Sequence, residues 1–136
     1  STGTEKVATL RKELQDSMDL NAQVYRTEES LEEALKKIAE LRKRYEHVQV
    51  QDKGQRFNTD LLEAIELGFL LDLAEVLVVT AKERRESRGG HFREDYPTRN
   101  DEKFMVHSMA YKKGSKIKID WKPVTITNYQ PMERKY

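Results

Sequence analysis

A mainly α-helical protein is predicted: an up-and-down three-helix bundle followed by an extended tail with a short β-hairpin. Three observations predict it. Apolar residues recur every three or four positions through two early segments, which is the helical period. A third segment is apolar on nearly every side. Gly and Pro gather late: Gly89, Gly90, Pro97, Gly114, Pro123 and Pro131 follow residue 88, while only Gly3, Gly54 and Gly68 precede it. A length of 136 residues suits one structural domain, with the bundle in 1–88 and the tail in 89–136 packed on it.

The first helix is expected over about 4–20, where Val7, Leu10, Leu14 and Met18 form one narrow stripe. The second is expected over about 28–47. Thr27 suits its N-cap, Glu28 and Glu29 favour the positive helix start, and Leu31, Leu35, Ile38, Leu41 and Tyr45 make its stripe. Glu32–Lys36, Glu33–Lys37 and Glu40–Arg44 have i,i+4 spacing, worth about 0.3 kcal/mol each on a solvated face. The third helix starts after Asn58 or Thr59, either of which can cap it. Its charges Glu63, Glu66, Asp72 and Glu75 exclude a membrane span, which needs about 20 uncharged residues. A helix apolar nearly all round is buried on several sides, so it is placed at the centre of a spectrin-repeat-like bundle. Its remaining apolar surface wants a further partner, either the tail or a surface outside this chain.

The third helix should end where Lys82, Arg84, Arg85 and Arg88 crowd its last turns, with Gly89 or Gly90 as a left-handed C-cap. Residues 104–111 read as a strand, 112–115 as a turn, and 116–121 alternate polar and apolar as a half-buried strand does. Val124–Thr127 is expected to add a short third strand. Trp121 and the tyrosines are expected to anchor the tail on the bundle.

Composition narrows the chemistry. Cysteine is absent, which excludes a disulfide scaffold, a thiol nucleophile and a Cys-ligated metal. His47, His91 and His107 are far apart, which argues against a histidine-rich metal site. No basic start leads into an apolar run, so no secretory leader pattern is visible. The chain begins at Ser1 and is expected to be cut from a longer one. The net charge of +1 hides a division: residues 1–80 carry 11 Lys/Arg against 16 Asp/Glu, and residues 81–136 carry 14 against 8.

The densest polar cluster runs from Arg84 to Pro97. A metal site at His91, Glu94 and Asp95 matches no ligand spacing, and the neighbouring arginines repel a cation. Nucleic-acid binding by the arginines, with Phe92 and Tyr96 stacking on bases, is opposed by interleaved acids and the lack of a motif. The favoured reading is structural: arginines cap the helix and pair with Glu86, Glu94 and Asp95, and the glycines allow close backbone approach. Ser87 has no G-x-S-x-G elbow, Gly89-Gly90 follows a helix rather than a strand, and His107 reads as a packed histidine. Residue chemistry alone does not suggest an enzyme.

Glu86-Ser87-Arg88-Gly89-Gly90-His91-Phe92-Arg93-Glu94-Asp95-Tyr96-Pro97 resembles the E-S-R-G-x-H-x-R-x-D-[YF]-P segment of the flavoprotein subunit of succinate dehydrogenase and fumarate reductase. The block from Phe57-Asn58-Thr59-Asp60-Leu61 to Ala74-Glu75 is similar to the same family's F-N-T-D-L…A-E helix. His107-Ser108, Lys122-Pro123 and Tyr136 are similar to its terminal pattern, and the ending Pro131–Tyr136 resembles actinobacterial members. One departure is Asn100, where the family usually has a second acid, which bears on a local ion pair. The resemblance runs from about residue 6 to the end.

It implies a parent that oxidises succinate to fumarate through covalent FAD and passes electrons to an iron–sulfur subunit and quinone. That parent would be a peripheral subunit on the cytoplasmic face of a bacterial plasma membrane. The family's flavin-linking and substrate residues match nothing here, so the resemblance implies a helical C-terminal domain with no catalytic residue, metal or cofactor of its own. The isolated domain is expected to be soluble. Arg85, Glu86, Arg88, Gly89, Gly90, His91, Arg93, Asp95 and Tyr96 are then expected to contact the parent's FAD-binding domain. Alternatives are the matching domain of fumarate reductase or L-aspartate oxidase, or, in other classes, a freestanding helical interaction module or a nucleic-acid binder. No nucleic acid and no membrane insertion are expected.

Overall fold

The structure is a computed structural model and describes residues 6–48 and 59–132. The cap at Asn58, the start of the first helix before residue 6 and the closing Tyr136 lie outside the described residues. Three helices form an antiparallel bundle: α1 (Val7–Asn21), α2 (Glu28–Tyr45) and α3 (Thr59–Glu83). Between α1 and α2 lies a two-residue strand, β1 (Tyr25–Arg26). After α3 come β2 (Phe92–Arg93), a single-turn helix α4 (Asp101–Phe104), and the hairpin strands β3 (Val106–Lys113) and β4 (Lys116–Pro123).

The helical stripes build the core. Val7, Leu10 and Leu14 of α1 meet Leu31, Ala34, Ile38 and Leu41 of α2 and Ala64, Leu67, Leu71, Ala74, Val78 and Ala81 of α3. Thr27 caps α2 as expected. Its hydroxyl accepts from Ser30 N at 3.1 Å, and Ser30 Oγ accepts from Thr27 N at 2.9 Å, a reciprocal capping box.

The i,i+4 expectations need correction. Glu40–Arg44 forms at 3.3 Å, but Lys37 and Arg44 both reach Glu13 of α1, at 3.0 and 2.6 Å. Glu32 turns to Lys82 of α3 at 3.6 Å. These side chains tie helices together because the bundle offers them oppositely charged partners closer than those on their own helix.

The third helix is not enclosed. Buried residues occupy one side of α3, while Leu61, Leu62, Ile65, Phe69, Leu73 and Leu77 stand on the other, with Phe69 63% and Leu73 66% exposed. The hairpin covers only part of the helix, where Val76 and Val79 line a groove with Leu35, Ile38, Ala110 and Ile117.

The tail also departs from expectation. β3 and β4 pair antiparallel, with Val106 opposite Pro123 and Lys113 opposite Lys116. Gly114, at φ +62°, takes the left-handed conformation that the two-residue turn requires. Val124–Thr127 forms no strand: the ladder runs out at Pro123, which lacks an N–H. β1 and β2 form a short parallel pair with Tyr25 opposite Phe92, an arrangement that no local pattern announces.

Candidate functional site

The polar cluster folds into an arginine clamp at the end of the bundle where α1 finishes, α2 begins and α3 finishes. α3 stops at Glu83, before Arg84, Arg85 and Arg88, so that of the cations expected in its last turns Lys82 alone lies within it. Gly89, at φ +60°, is not a helix cap. It closes a two-residue turn in which Arg88 N donates to His91 O at 2.8 Å and His91 N donates to Arg88 O at 3.0 Å. Among the described residues a Cβ on Gly89 or Gly90 would meet nothing within 4 Å, so neither glycine serves a close approach to them.

Arg93 is the centre of the clamp and is fully buried. Its Nε and Nη2 grip both oxygens of Asp95 at 2.8 Å. Nη2 also donates to Glu28 Oε2 at 2.9 Å. Nη1 donates to the last carbonyls of α3, Ala81 O at 3.2 Å and Lys82 O at 2.8 Å. A cation therefore sits at a helix C-terminus. Asp95 in turn accepts from Glu28 N at 2.9 Å, placing a carboxylate at the N-terminus of α2. Chiefly through the Arg93 hydrogen bonds, the Asp95 pKa is pulled down to about 2. The ring of Tyr96 lies 5.1 Å from the Arg93 guanidinium.

Glu86 is the second centre and is also fully buried. Arg84 and Arg88 bond to it at 2.5 and 3.0 Å, and Asn100 N donates to it at 2.9 Å. Burial disfavours its charge, but the bonds from Arg88, Asn100 N and Arg84 outweigh that and hold its pKa below the usual value. Arg88 continues to Asp101 at 2.6 Å. Asn100, the departure from the family's acid, uses its side chain to accept from Lys103 N at 3.1 Å and cap α4. Ser87 Oγ accepts from Arg93 N at 2.9 Å and donates to Tyr96 O at 2.8 Å, which holds the loop in shape.

Arg84, which sequence reasoning left off the site, joins the bundle to the hairpin. It donates to Phe104 O at 2.8 Å and Val106 O at 2.5 Å and lies over the rings of Phe104 and Trp121. Its position, one residue past α3, was the available signal. Trp121 thus anchors the tail as expected. Tyr96 lies against Arg93, but Tyr111 and Tyr129 anchor nothing, being 51% and 89% exposed on the outward side of the hairpin or beyond it. His107 is exposed rather than packed.

His91 is fixed by two partners of unambiguous polarity. Its Nε2 lies 2.9 Å from Arg84 O, and its Nδ1 lies 2.9 Å from Arg26 Nη1. A carbonyl only accepts and a guanidinium only donates, so the proton is on Nε2 and the ring is neutral. Burial, and then the charges of Arg26, Arg93 and Arg84, push its pKa down. Arg26 also donates to Ala22 O and Gln23 O at the end of α1, at 3.1 and 2.7 Å.

The structural expectation for the cluster is met by Arg84, Arg88 and Arg93. It fails for Glu94, which makes no ion pair among the described residues and contributes only its backbone N–H, to Arg26 O. Of the nine candidate contact residues, Glu86 and Arg93 are turned wholly inward, whereas Arg85, Gly89, Gly90, Asp95 and Tyr96 are exposed. Among the described residues no group of three or more His, Asp or Glu could hold a metal ion, and no helix is long and apolar enough to cross a membrane. The described residues do not fit a flavin cradle either, because the two left-handed glycines sit in tight two-residue turns.

A helical bundle clamped by the buried Arg93 and joined to a hairpin by Arg84 is the fold of a domain found in large oxidoreductases. A solved chain of E. coli quinol fumarate reductase superposes on it with a TM-score of 0.91 and 36% identity, over 96% of this chain and 23% of that one. The family model described as fumarate reductase flavoprotein C-term matches residues 11–136, and the chain belongs to that family. A succinate dehydrogenase flavoprotein subunit of Rickettsia bellii is 46% identical over 93% of this chain and 22% of its own length. A fumarate reductase flavoprotein subunit of Haemophilus influenzae is 40% identical over 98% of this chain, again 22% of its own length. The chain therefore spans about a fifth of the length of these relatives.

Proposed function

We propose that this chain is the orienting C-terminal domain of a flavoprotein that interconverts succinate and fumarate. The parent would work in the oxidative direction, use FAD held by its other domains and pass electrons to an iron–sulfur subunit. It would sit as a peripheral subunit on the cytoplasmic face of the membrane. Flavoprotein subunits of both kinds are among its relatives, a succinate dehydrogenase subunit at 46% identity and a fumarate reductase subunit at 40%, so the oxidative direction rests on the resemblance alone. The observation that carries the domain's role is the pairing of a self-satisfied clamp with an uncovered apolar face. Ile65, Phe69, Leu73 and Leu77 recur every four residues along α3 and are all at least 44% exposed. An exposed apolar stripe of this length marks a contact surface. The flavin-binding part of the parent is its occupant, with Arg85, Gly89, Gly90 and Tyr96 at the margin of the contact.

The test is Phe69→Glu with Leu73→Glu, made in the full-length protein and in this chain. In the full-length protein, bound flavin is expected to be released at a lower temperature, because two charges then enter a covered apolar contact. In this chain the same changes fall on solvent and should leave the thermal midpoint nearly unchanged. Unaltered flavin retention in the full-length double variant would refute the proposal.

A further inference from the structure

The register of the hairpin divides its side chains into two faces. Ser108 opposite Trp121, Ala110 opposite Ile119 and Lys112 opposite Ile117 define the face toward the bundle, where Ile117 and Ile119 are half-buried. The outward face has His107 opposite Lys122, the half-buried Met109 opposite Asp120, Tyr111 opposite Lys118, and Lys113 opposite Lys116. The lysines there are exposed. The carboxylate on the same face, Asp120, pairs with Lys118 at 3.6 Å.

Lys113 and Lys116 sit directly across from one another, and like charges at that position destabilise a strand pair. No carboxylate of the described residues pairs with either. An oppositely charged partner docked on this face would relieve that repulsion. We propose that the outward face of the β3–β4 hairpin is a docking surface for an acidic protein, with Tyr111 as the aromatic anchor and Lys113, Lys116 and Lys118 as a basic rim.

The composition selects this partner over two others. Tyr is favoured as an energetic anchor within protein interfaces, and charged side chains suit their rims and steer association. A lipid surface would call for large apolar residues at the tip, but the tip is Gly114-Ser115 between lysines. Base reading in a nucleic-acid groove relies on Arg, Asn or Gln, and this face carries none. Lysines on a two-stranded sheet also discourage edge pairing, but that role alone would not call for a half-exposed tyrosine among them. The proposal stands independently of the flavoprotein assignment.

The test measures binding of this chain to a fluorescent glutamate-rich peptide containing a few apolar residues. Duplex DNA and phosphatidylserine vesicles are run in parallel. Changing Lys113, Lys116 and Lys118 to Glu should weaken peptide binding by about tenfold or more, and Tyr111→Ser should weaken it as well. A control with the same charge change on the bundle, Lys12, Lys36 and Lys43 to Glu, should stay within about twofold of the parent. If the Glu triple variant does not fold, the Gln triple variant decides, with a smaller loss in the same direction. Equal loss in the control, unchanged binding in the hairpin variants, or tighter binding to DNA or vesicles than to the peptide would each overturn the proposal.

Discussion

Arg93 has five guanidinium donors and makes five hydrogen bonds, to two carboxylates and two helix-terminal carbonyls. Removing it leaves two part-exposed carboxylates, Asp95 and Glu28, without their cation, and the carbonyls of Ala81 and Lys82 without a donor. Arg93→Gln is therefore expected to cost about 1–3 kcal/mol in urea unfolding. Arg93→Lys should not rescue it, because three donors on a point charge cannot reproduce a planar fork. His91 makes a prediction of a different kind. Its folded pKa lies below the ordinary 6.5, so the native state prefers the neutral ring. That preference contributes stability above pH 6.5 and is lost as pH falls through the lowered value, where a proton on Nδ1 would face Arg26. The thermal midpoint should fall across that window. His91→Gln, which can donate to Arg84 O and accept from Arg26 without titrating, should flatten the fall.

At the scale of the elements, the join between α2 and α3 is set by one glycine. A Cβ at Gly68 would lie 2.9 Å from Tyr45 Oη and 3.3 Å from its Cζ. Tyr45 Oη donates to Ala64 O at 2.7 Å, so the ring cannot withdraw without losing that bond. Gly68→Ala gains helix propensity worth about 1 kcal/mol but should still destabilise by about 1–2 kcal/mol net through overpacking. The penalty should shrink in a Tyr45→Phe background, measured as a double-mutant cycle by chemical denaturation. The helices themselves were legible because period and capping are local: Thr27 and the stripe through Leu31, Ile38 and Leu41 announce α2 directly. Gly68 gave no such sign, since what excludes a side chain there is a ring from another helix. The β1–β2 pair was illegible for a similar reason, as its four residues acquire meaning only when Tyr25 and Phe92 meet. The cluster around Arg93 was readable as paired charge, but not its assignment of Asp95 to one helix end and Ala81 and Lys82 to another.

Taken as a whole, the molecule depends on carboxylates whose charge is held by arginines and lysines on other elements. Glu13, bonded by Arg44 and then Lys37, has a pKa lowered to about 2, and Asp95 likewise. Each depressed value contributes stability that is complete above the ordinary carboxylate range and disappears as pH falls toward 2. Acid unfolding followed by circular dichroism should therefore begin below about pH 4.5, the ordinary value for Glu13. Glu13→Gln should lower the neutral-pH midpoint and reduce the loss on acidification. The clamp has a further consequence, in time rather than in space. The bond from Arg93 to Glu28 joins residues 65 apart in the chain, while the contacts between successive helices span much shorter loops. Closing the longer loop before the helices have met would sacrifice more chain entropy. The clamp should thus form after the rate-limiting step, and its mutants should refold at nearly the parent rate but unfold faster. It would act as a latch that closes late and sets how long the native state lasts.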